Sequence, residues 1–544
     1  MAEKQKTHRM DANRRVFQKL RRKTPSAHTP TNQLALWTLM ATSLIFTGGC
    51  LTNAQSNTST FNIKQYGAAG DGKTLDSPAI NKAIAAASKA GGGTVHFPAG
   101  TYLSGSIHLK SNITLYLDNG AVIEASSKPA DYDPNEPNPW NKYQDFGHSH
   151  WHNSLIWGEN IENVSIVGPG LIYGKGLTRS LPRDKLPNSL GNKSIALKNC
   201  RNVILRDFSI LRGGHFGILA TGVDNLTIDN LKIDTNRDGM NIDCCRNVRV
   251  SNCSVNSPWD DAICLKSSYG LGFARATENV TITNCLVAGG FEMGTLLDGT
   301  FKPIGNRDRA SHTGRIKFGT ESNGGFKNIT ISNCVFDNCQ GLALETVDGG
   351  LLEDVTITNI TMRNLVTPPI FIRLGSRMRG PEGTPVGKLR RVNISNIVAY
   401  NTASRYCSVI SGIPGHEIED VRISNVLIYV RGGGTKEQAE IVPPEKENAY
   451  PDPGMFGATP SYGFFVRHVK GIQFSDIRIA CIENDSRPAF VLDDVKDVRF
   501  DTVKVPKTEG VPTFVLKNVE DFRIHQFEGL PDTQIEKAEQ NKLP

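Results

Sequence analysis

From about residue 160 onward, apolar and polar residues alternate in short runs, and the runs recur. Asn225-Leu-Thr-Ile-Asp-Asn230-Leu-Lys-Ile, Asn247-Val-Arg-Val-Ser-Asn252-Cys-Ser-Val and Asn279-Val-Thr-Ile-Thr-Asn284-Cys-Leu-Val are three copies of one unit. Further copies begin at Asn328, Asp354, Arg391, Asp420, Gly471 and Asp497, with shortest spacings of 22 to 26 residues. Alternation with period two over four or five residues is the pattern of a strand, not a helix. A strand–Asn–strand unit this short cannot bury its own apolar face, so successive units must stack. Asn suits the turn because it tolerates the left-handed backbone region and can bond to the copies above and below. The predicted fold is all-β: a right-handed parallel β-helix, one domain over residues 60–530.

Two segments depart from the strand pattern. Ser77 to Lys89 spaces Ile80, Ala83, Ile84 and Ala87 as one helix face, with Ser77 and Pro78 as cap and first turn and Gly91-Gly92-Gly93 as the stop. This helix is predicted to cap the open N-terminal end of the solenoid. Residues 531–544 are polar and read as a frayed C-terminal tail. The repeat also accounts for cysteine usage. Cys253, Cys285 and Cys334 fill the slot held by Leu231, Ile360, Ile397 and Val426 in other copies, which predicts small buried hydrophobes rather than disulfides.

Charge is concentrated at one end. The chain has 544 residues and a formal net charge of +7. Nine bases and two acids within residues 1–50 account for all of it, and the remaining residues are formally neutral. The excess therefore gives no support for a nucleic-acid partner. The basic start is followed by an apolar stretch from Leu34 to Phe46 and then Thr47-Gly48-Gly49-Cys50. That order reads as an export signal over residues 1–50, with either a lipid-anchored Cys50 or cleavage near Ala54. The predicted location is periplasmic, anchored at the outer membrane, or secreted.

Candidate chemistry gathers in two turns. Thr235-Asn236-Arg237-Asp238-Gly239 and Ser257-Pro258-Trp259-Asp260-Asp261 place Asp238 and Asp260 22 residues apart, one coil, so they are expected to stack on one face with Asp261 beside them. Crowded carboxylates raise at least one pKa, and a protonated acid beside an ionised base is what glycoside hydrolysis needs. Turn capping and calcium binding are the ordinary alternative uses of clustered Asp. His148-Ser-His150-Trp-His152 could supply metal ligands by composition, but alternation on an extended segment reads better as a cleft rim with Trp151 as a candidate sugar contact. Trp259 could stack on a sugar or anchor its loop.

Several motifs resemble glycoside hydrolase family 28, the polygalacturonase and rhamnogalacturonan-hydrolase family, over about residues 60–430. They are Tyr66-Gly-Ala-Ala-Gly-Asp-Gly72, the run from Gly91 to Leu103, Asn236-Arg237-Asp238-Gly239 against Asn-Thr-Asp-Gly, and Asp260-Asp261-Ala-Ile-Cys-Leu-Lys266-Ser against Asp-Asp-Cys-Ile-Ala-Ile-Lys-Ser. The resemblance implies a cofactor-free inverting hydrolase with Asp260 as general acid and Asp238 and Asp261 activating water. Asn236, Lys266, His312, Arg315 and Lys317 are the substrate-binding candidates; no metal site is implied. Phe318-Gly319-Thr320-Glu321 matches Ile-Gly-Ser-Glu, which sets Thr313-Gly314-Arg315 on the family's Gly-His-Gly. Ala343-Leu344-Glu345 then falls where Arg-Ile-Lys grips a uronate, while a literal Arg315-Ile316-Lys317 lies one coil early. The resemblance thus carries over the hydrolytic aspartates but not polygalacturonate specificity. The implied substrate is a pectin-like or other acidic plant polysaccharide or its oligosaccharides, handled by a monomer. A polysaccharide lyase or a non-catalytic carbohydrate-binding solenoid on the same scaffold are the alternatives. Inserts at 289–314 and 431–462 are long enough to wall off a cleft, which favours exo action.

Overall fold

The computed structural model describes residues 59–145, 147–178, 192–305 and 312–544; the predicted leader, Cys50 included, lies outside the described residues. Each coil contributes strands to three stacked ladders. The ladder that carries the site runs Ile156–Glu159, Ile195–Lys198, Ile218–Thr221, Met240–Asp243, Ile263–Ser267, Ile316–Ser322, Leu342–Thr346, Ile370–Leu374 and Ser408–Ser411. Every neighbouring pair in it is parallel. A second ladder stacks Glu162–Val167, Arg201–Arg206, Asp224–Asp229, Arg246–Ser251 and Thr277–Thr283. The third stacks Leu171–Tyr173, Ser209–Leu211, Lys232–Asp234, Ser254–Asn256 and Leu286–Ala288. The inward residues of these strands, such as Leu226, Ile228, Val248 and Val250, form one continuous buried core.

The turn residues behave as their chemistry predicts. Asn225, Asn247, Asn279, Asn328, Asp354, Arg391, Asp420, Gly471 and Asp497 all have positive φ, between 49° and 74°. Their side chains also form ladders: Asn202 Nδ2 donates to Asn163 Oδ1 at 2.9 Å, Asn225 to Asn202 at 2.9 Å, and Asn328 to Asn279 at 2.8 Å. Each bond replaces water on a group that is exposed, so the ladder adds register more than energy. Cys253, Cys285 and Cys334 are buried in the core, and Cys334 pairs across the ladder with Ile360. The ten cysteines among the described residues are all free thiols.

The helix spans Ser77–Lys89, so Ser77 is its first residue and the cap position falls to Asp76. The Asp76 side chain does not cap the helix; it accepts from the Ala69 and Gly70 amides at 2.7 and 3.0 Å, tying the helix to the preceding turn. Ile80, Ala83, Ile84 and Ala87 join the core of the first coils, as expected for a cap. The far end differs from the sequence reading. The segment expected to fray is a strand, Thr533–Leu543, paired antiparallel with Phe514–Phe527 across nine residue pairs. Its only buried apolar side chain is Ala538, and it is held by backbone bonds that occupy the last open edge of the sheet.

If the left-handed turn sets the coil register, Asn247→Gly should leave stability nearly unchanged, whereas Asn247→Val should cost about 1–2 kcal/mol in urea unfolding. Equal losses for the two variants would remove the turn from this role.

Candidate active site

The two aspartate turns join the third ladder to the site ladder, and backbone bonds tie each turn to the next. The Gly217 amide donates to Asp238 O at 3.0 Å, Gly239 to Asp261 O at 3.0 Å, and Gly314 to Asp260 O at 2.9 Å. Ser257 Oγ donates to Arg237 O at 2.5 Å. Gly239 is required by this approach: a Cβ there would lie 2.5 Å from both Ala262 O and Val255 Cγ1. Stacking shifts the expected alignment by one residue. Lys232 pairs with Ser254, a step of 22, but Met240 pairs with Ile263, a step of 23. The extra residue lies in the 257–261 turn, so Asp238 is level with Asp261, and Asp260 stands one residue before it.

Burial then separates the three carboxylates. Asp238 and Asp261 are buried, whereas the Asp260 side chain is 28% exposed. Burial, reinforced by the charge of Asp260, pushes Asp238 well above the ordinary carboxylate range. Asp261 goes the other way: burial opposes its charge, but Lys317 and Arg315 outweigh it and hold its pKa below the ordinary value. Arg315 Nε donates to Asp261 Oδ1 at 2.9 Å, and Lys317 Nζ lies 3.7 Å from Oδ2. Neighbouring carboxylates whose proton affinities are driven apart make an acid–base couple.

The remaining sequence candidates occupy the same face, in positions their motifs do not reveal. Asn236 is half-buried in the Asp238 turn. Arg237, where the family has Thr, places Nη2 3.0 Å from Asp260 Oδ2. Lys266 faces outward from the ladder but is buried, with Nζ 2.9 Å from Glu321 Oε2. His312 is buried next to Thr313 and Gly314, whose amides bond to the carbonyls of Pro258 and Asp260. Lys317 pairs in register with Cys264 on one side and Ala343 on the other, so Arg315-Ile316-Lys317 lies on the coil next to the aspartates and Glu345 on the coil after it. Trp151 is buried against Ala196, Phe216 and Leu219, with its indole N–H on Thr221, which removes it as a sugar platform; Trp259 is 40% exposed. Among the described residues no group of His, Cys, Asp and Glu is arranged to hold a metal.

Long-range partners were not legible in any motif. Arg379 Nη2 bonds to Glu321 at 3.0 Å and its Nη1 to Asp145 at 2.6 Å, joining two loops to the Lys266 pair. The 431–462 insert reaches back over the site: Tyr450 Oη lies 3.1 Å from Lys317 Nζ, and Asp452 Oδ2 lies 3.8 Å from Arg315 Nη2. Two buried arginines anchor that insert. Arg373 donates to the carbonyls of Glu445 and Lys446, and Arg467 to those of Pro443 and Pro444.

The fold and the aspartates on one face define a parallel β-helix with a cluster of carboxylates, and comparison with known proteins narrows its class. The family model described as rhamnogalacturonase A/epimerase, pectate lyase-like, matches residues 60–166, and one for a right-handed β-helix region matches residues 186–307. A probable polygalacturonase of Vitis vinifera is 25% identical over 398 residues, covering 69% of this chain and 75% of that protein. An exopolygalacturonase of Platanus acerifolia is 25% identical, covering 70% and 93%. Among solved structures, the family 28 exopolygalacturonase of Yersinia enterocolitica aligns with a TM-score of 0.59 at 19% identity, covering 85% of this chain and 78% of that one. The hyperthermoactive exopolygalacturonase of Thermotoga maritima aligns with a TM-score of 0.57 at 19% identity, covering 89% and 95%. The chain is a polygalacturonase-like glycoside hydrolase built on a right-handed parallel β-helix, and it is similar to family 28 enzymes.

Lys317→Met withdraws a cation from Asp261 and so raises its pKa. The acidic limb of kcat/KM against pH should therefore move up by about one unit. A limb that stays in place or moves down would separate Lys317 from the ionisation of Asp261.

Proposed function

We propose that the protein is an exported, inverting hydrolase that cleaves glycosidic bonds in a pectin-like polysaccharide or its oligosaccharides without a cofactor. The observation that carries this reading is the split between a proton-holding Asp238 and an ionised Asp261 at the same level, with the partly exposed Asp260 beside them. Asp260 is the carboxyl group that a glycosidic oxygen can approach; with a proton passed from Asp238 it gives up its pair with Arg237 and protonates the departing oxygen. Asp261 takes the proton of a water that attacks the anomeric carbon from the opposite face. Asp238, too buried to meet the leaving group, serves as the neighbour from which Asp260 is reprotonated. The resemblance alone assigns Asp238 to water activation, but its raised proton affinity suits a proton store better than a base.

The polysaccharide class is supported by the relatives' activities, whose names describe galacturonan hydrolysis. Exo action is supported by the 431–462 insert, which lies over the coils that follow the aspartates. Export and a lipid anchor at Cys50 are supported by the leader sequence. The lyase alternative needs a Lys or Arg that gives up its proton. Burial favours that for Lys317, but Glu345, Tyr450 and Asp261 outweigh it and hold the ammonium charged.

Asp238→Asn, Asp260→Asn and Asp261→Asn should each lower kcat on a cleaved pectic substrate by about 10²-fold or more. Proton NMR of the first product of the wild-type enzyme should show the anomer opposite to the substrate's linkage. Retention of configuration, unsaturated products absorbing in the ultraviolet, or full turnover by Asp260→Asn would overturn the reading.

A further inference from the structure

Five cations on the site face are already matched by the protein's own acids. Lys198 pairs with Glu159 at 3.0 Å, Arg237 with Asp260 at 3.0 Å, Lys266 with Glu321 at 2.9 Å, Arg315 with Asp261 at 2.9 Å, and Lys317 with Glu345 at 3.5 Å. The last pair differs from the others. Glu345 is fully buried next to the core residue Leu344, yet neither carboxylate oxygen has a hydrogen-bond partner. Burying an acid without donors is costly, and nothing in the packing of the solenoid requires an acid there. The charged and titratable groups facing it are Lys317 and Arg315 on the preceding coil, Asp261 one coil earlier, and Tyr450 and Asp452 from the insert. Arg373, its register neighbour on the next strand, is spent on Ser411, Gly412 and the insert carbonyls.

We propose that Glu345 is a specificity-determining residue: by neutralising Lys317 it makes the subsite beside Asp261 select an uncharged sugar, whether neutral or esterified, over one with a free carboxylate. This rests on the hydrolase reading above and adds the charge state of the sugar on that side of the cleaved bond. A free uronate carboxylate would meet Lys317 only by displacing Glu345, and would then face two acids, Glu345 and Asp261. An ester or hydroxyl meets no such repulsion, and selection by a repulsive element is a general way to tell close ligands apart. Burial pushes Glu345 up to about 7, with Lys317 and Arg315 opposing. An acid with a raised pKa is neutral below that value and ionised above it. The preference should therefore be weak in mild acid and strengthen as pH rises through 7.

The test compares free and fully methyl-esterified galacturonate trisaccharide at about pH 5.5 and about pH 7.5, with the ester-to-acid ratio of kcat/KM expected to rise about tenfold across that range. In Glu345→Gln, which keeps size and shape, the ratio should change by less than about twofold. The same two ligands are titrated calorimetrically against Asp260→Asn, so that the ratio is also read from binding without turnover. Cleavage of both ligands with a ratio that ignores pH, or that shifts equally in Glu345→Gln, overturns the role of Glu345. Binding that shows the shift while neither ligand is cleaved overturns the hydrolase reading and keeps the Glu345 selection. Wild-type preference for the free acid at the higher pH contradicts the proposal whether or not the variant folds.

Discussion

The parallel register between coils is the constraint on which the rest of the structure depends. A parallel ladder fixes each residue against one residue of the coil before it, and the left-handed Asn, Asp and Gly turns let the chain change direction without disturbing that register. Loops of different length leave and rejoin the solenoid between strands, but the strands on either side still meet the same partners. The site follows from this rule and one exception to it. The additional residue in the turn before Ile263 brings Asp261, not Asp260, level with Asp238. One aspartate is thereby buried against cations, and its neighbour is left partly exposed.

The second theme is charge held internally. Arg315, Lys317, Lys266 and Arg237 do not form an open basic groove: each faces an acid of the protein within 4 Å. Buried pairs of this kind seldom add stability, because desolvation offsets most of the attraction. Their use here is orientation and ionisation state: the pair at Arg315 holds Asp261 ionised, and Glu321 gathers Lys266, Arg379 and two loops into one network. Such preorganisation is what an enzyme needs where charge shifts during reaction.

Much of this was legible in the sequence because the solenoid repeats. Nine copies of one turn position held by Asn, Asp, Arg or Gly, and a recurring core slot filled by Leu, Ile, Val or Cys, were visible as a period, and two Asp-bearing turns as deviations from it. The C-terminal strand was not, because TQIEKAEQNKL shows no apolar face; it is held by an edge of backbone groups that exists only once the preceding coil has formed. Trp151 read as rim because its neighbours are His and Ser, but it fills a small apolar pocket made by Ala196, Phe216 and Leu219. Partners such as Tyr450, Asp452 and Arg379 come from inserts, whose sequences carry no periodicity from which a contact more than a hundred residues away could be read.

The most direct measurement is a carboxyl titration by carbon-13 NMR of protein labelled at the Asp side chains, with Asp238→Asn and Asp261→Asn supplying assignments. Several Asp carboxyls titrate outside the ordinary range; the expected result is that one titrating above it is missing from Asp238→Asn and one titrating below it is missing from Asp261→Asn. If both aspartates titrate together within the ordinary range, the coil register does not create an acid–base couple, and the mechanism built on it is wrong.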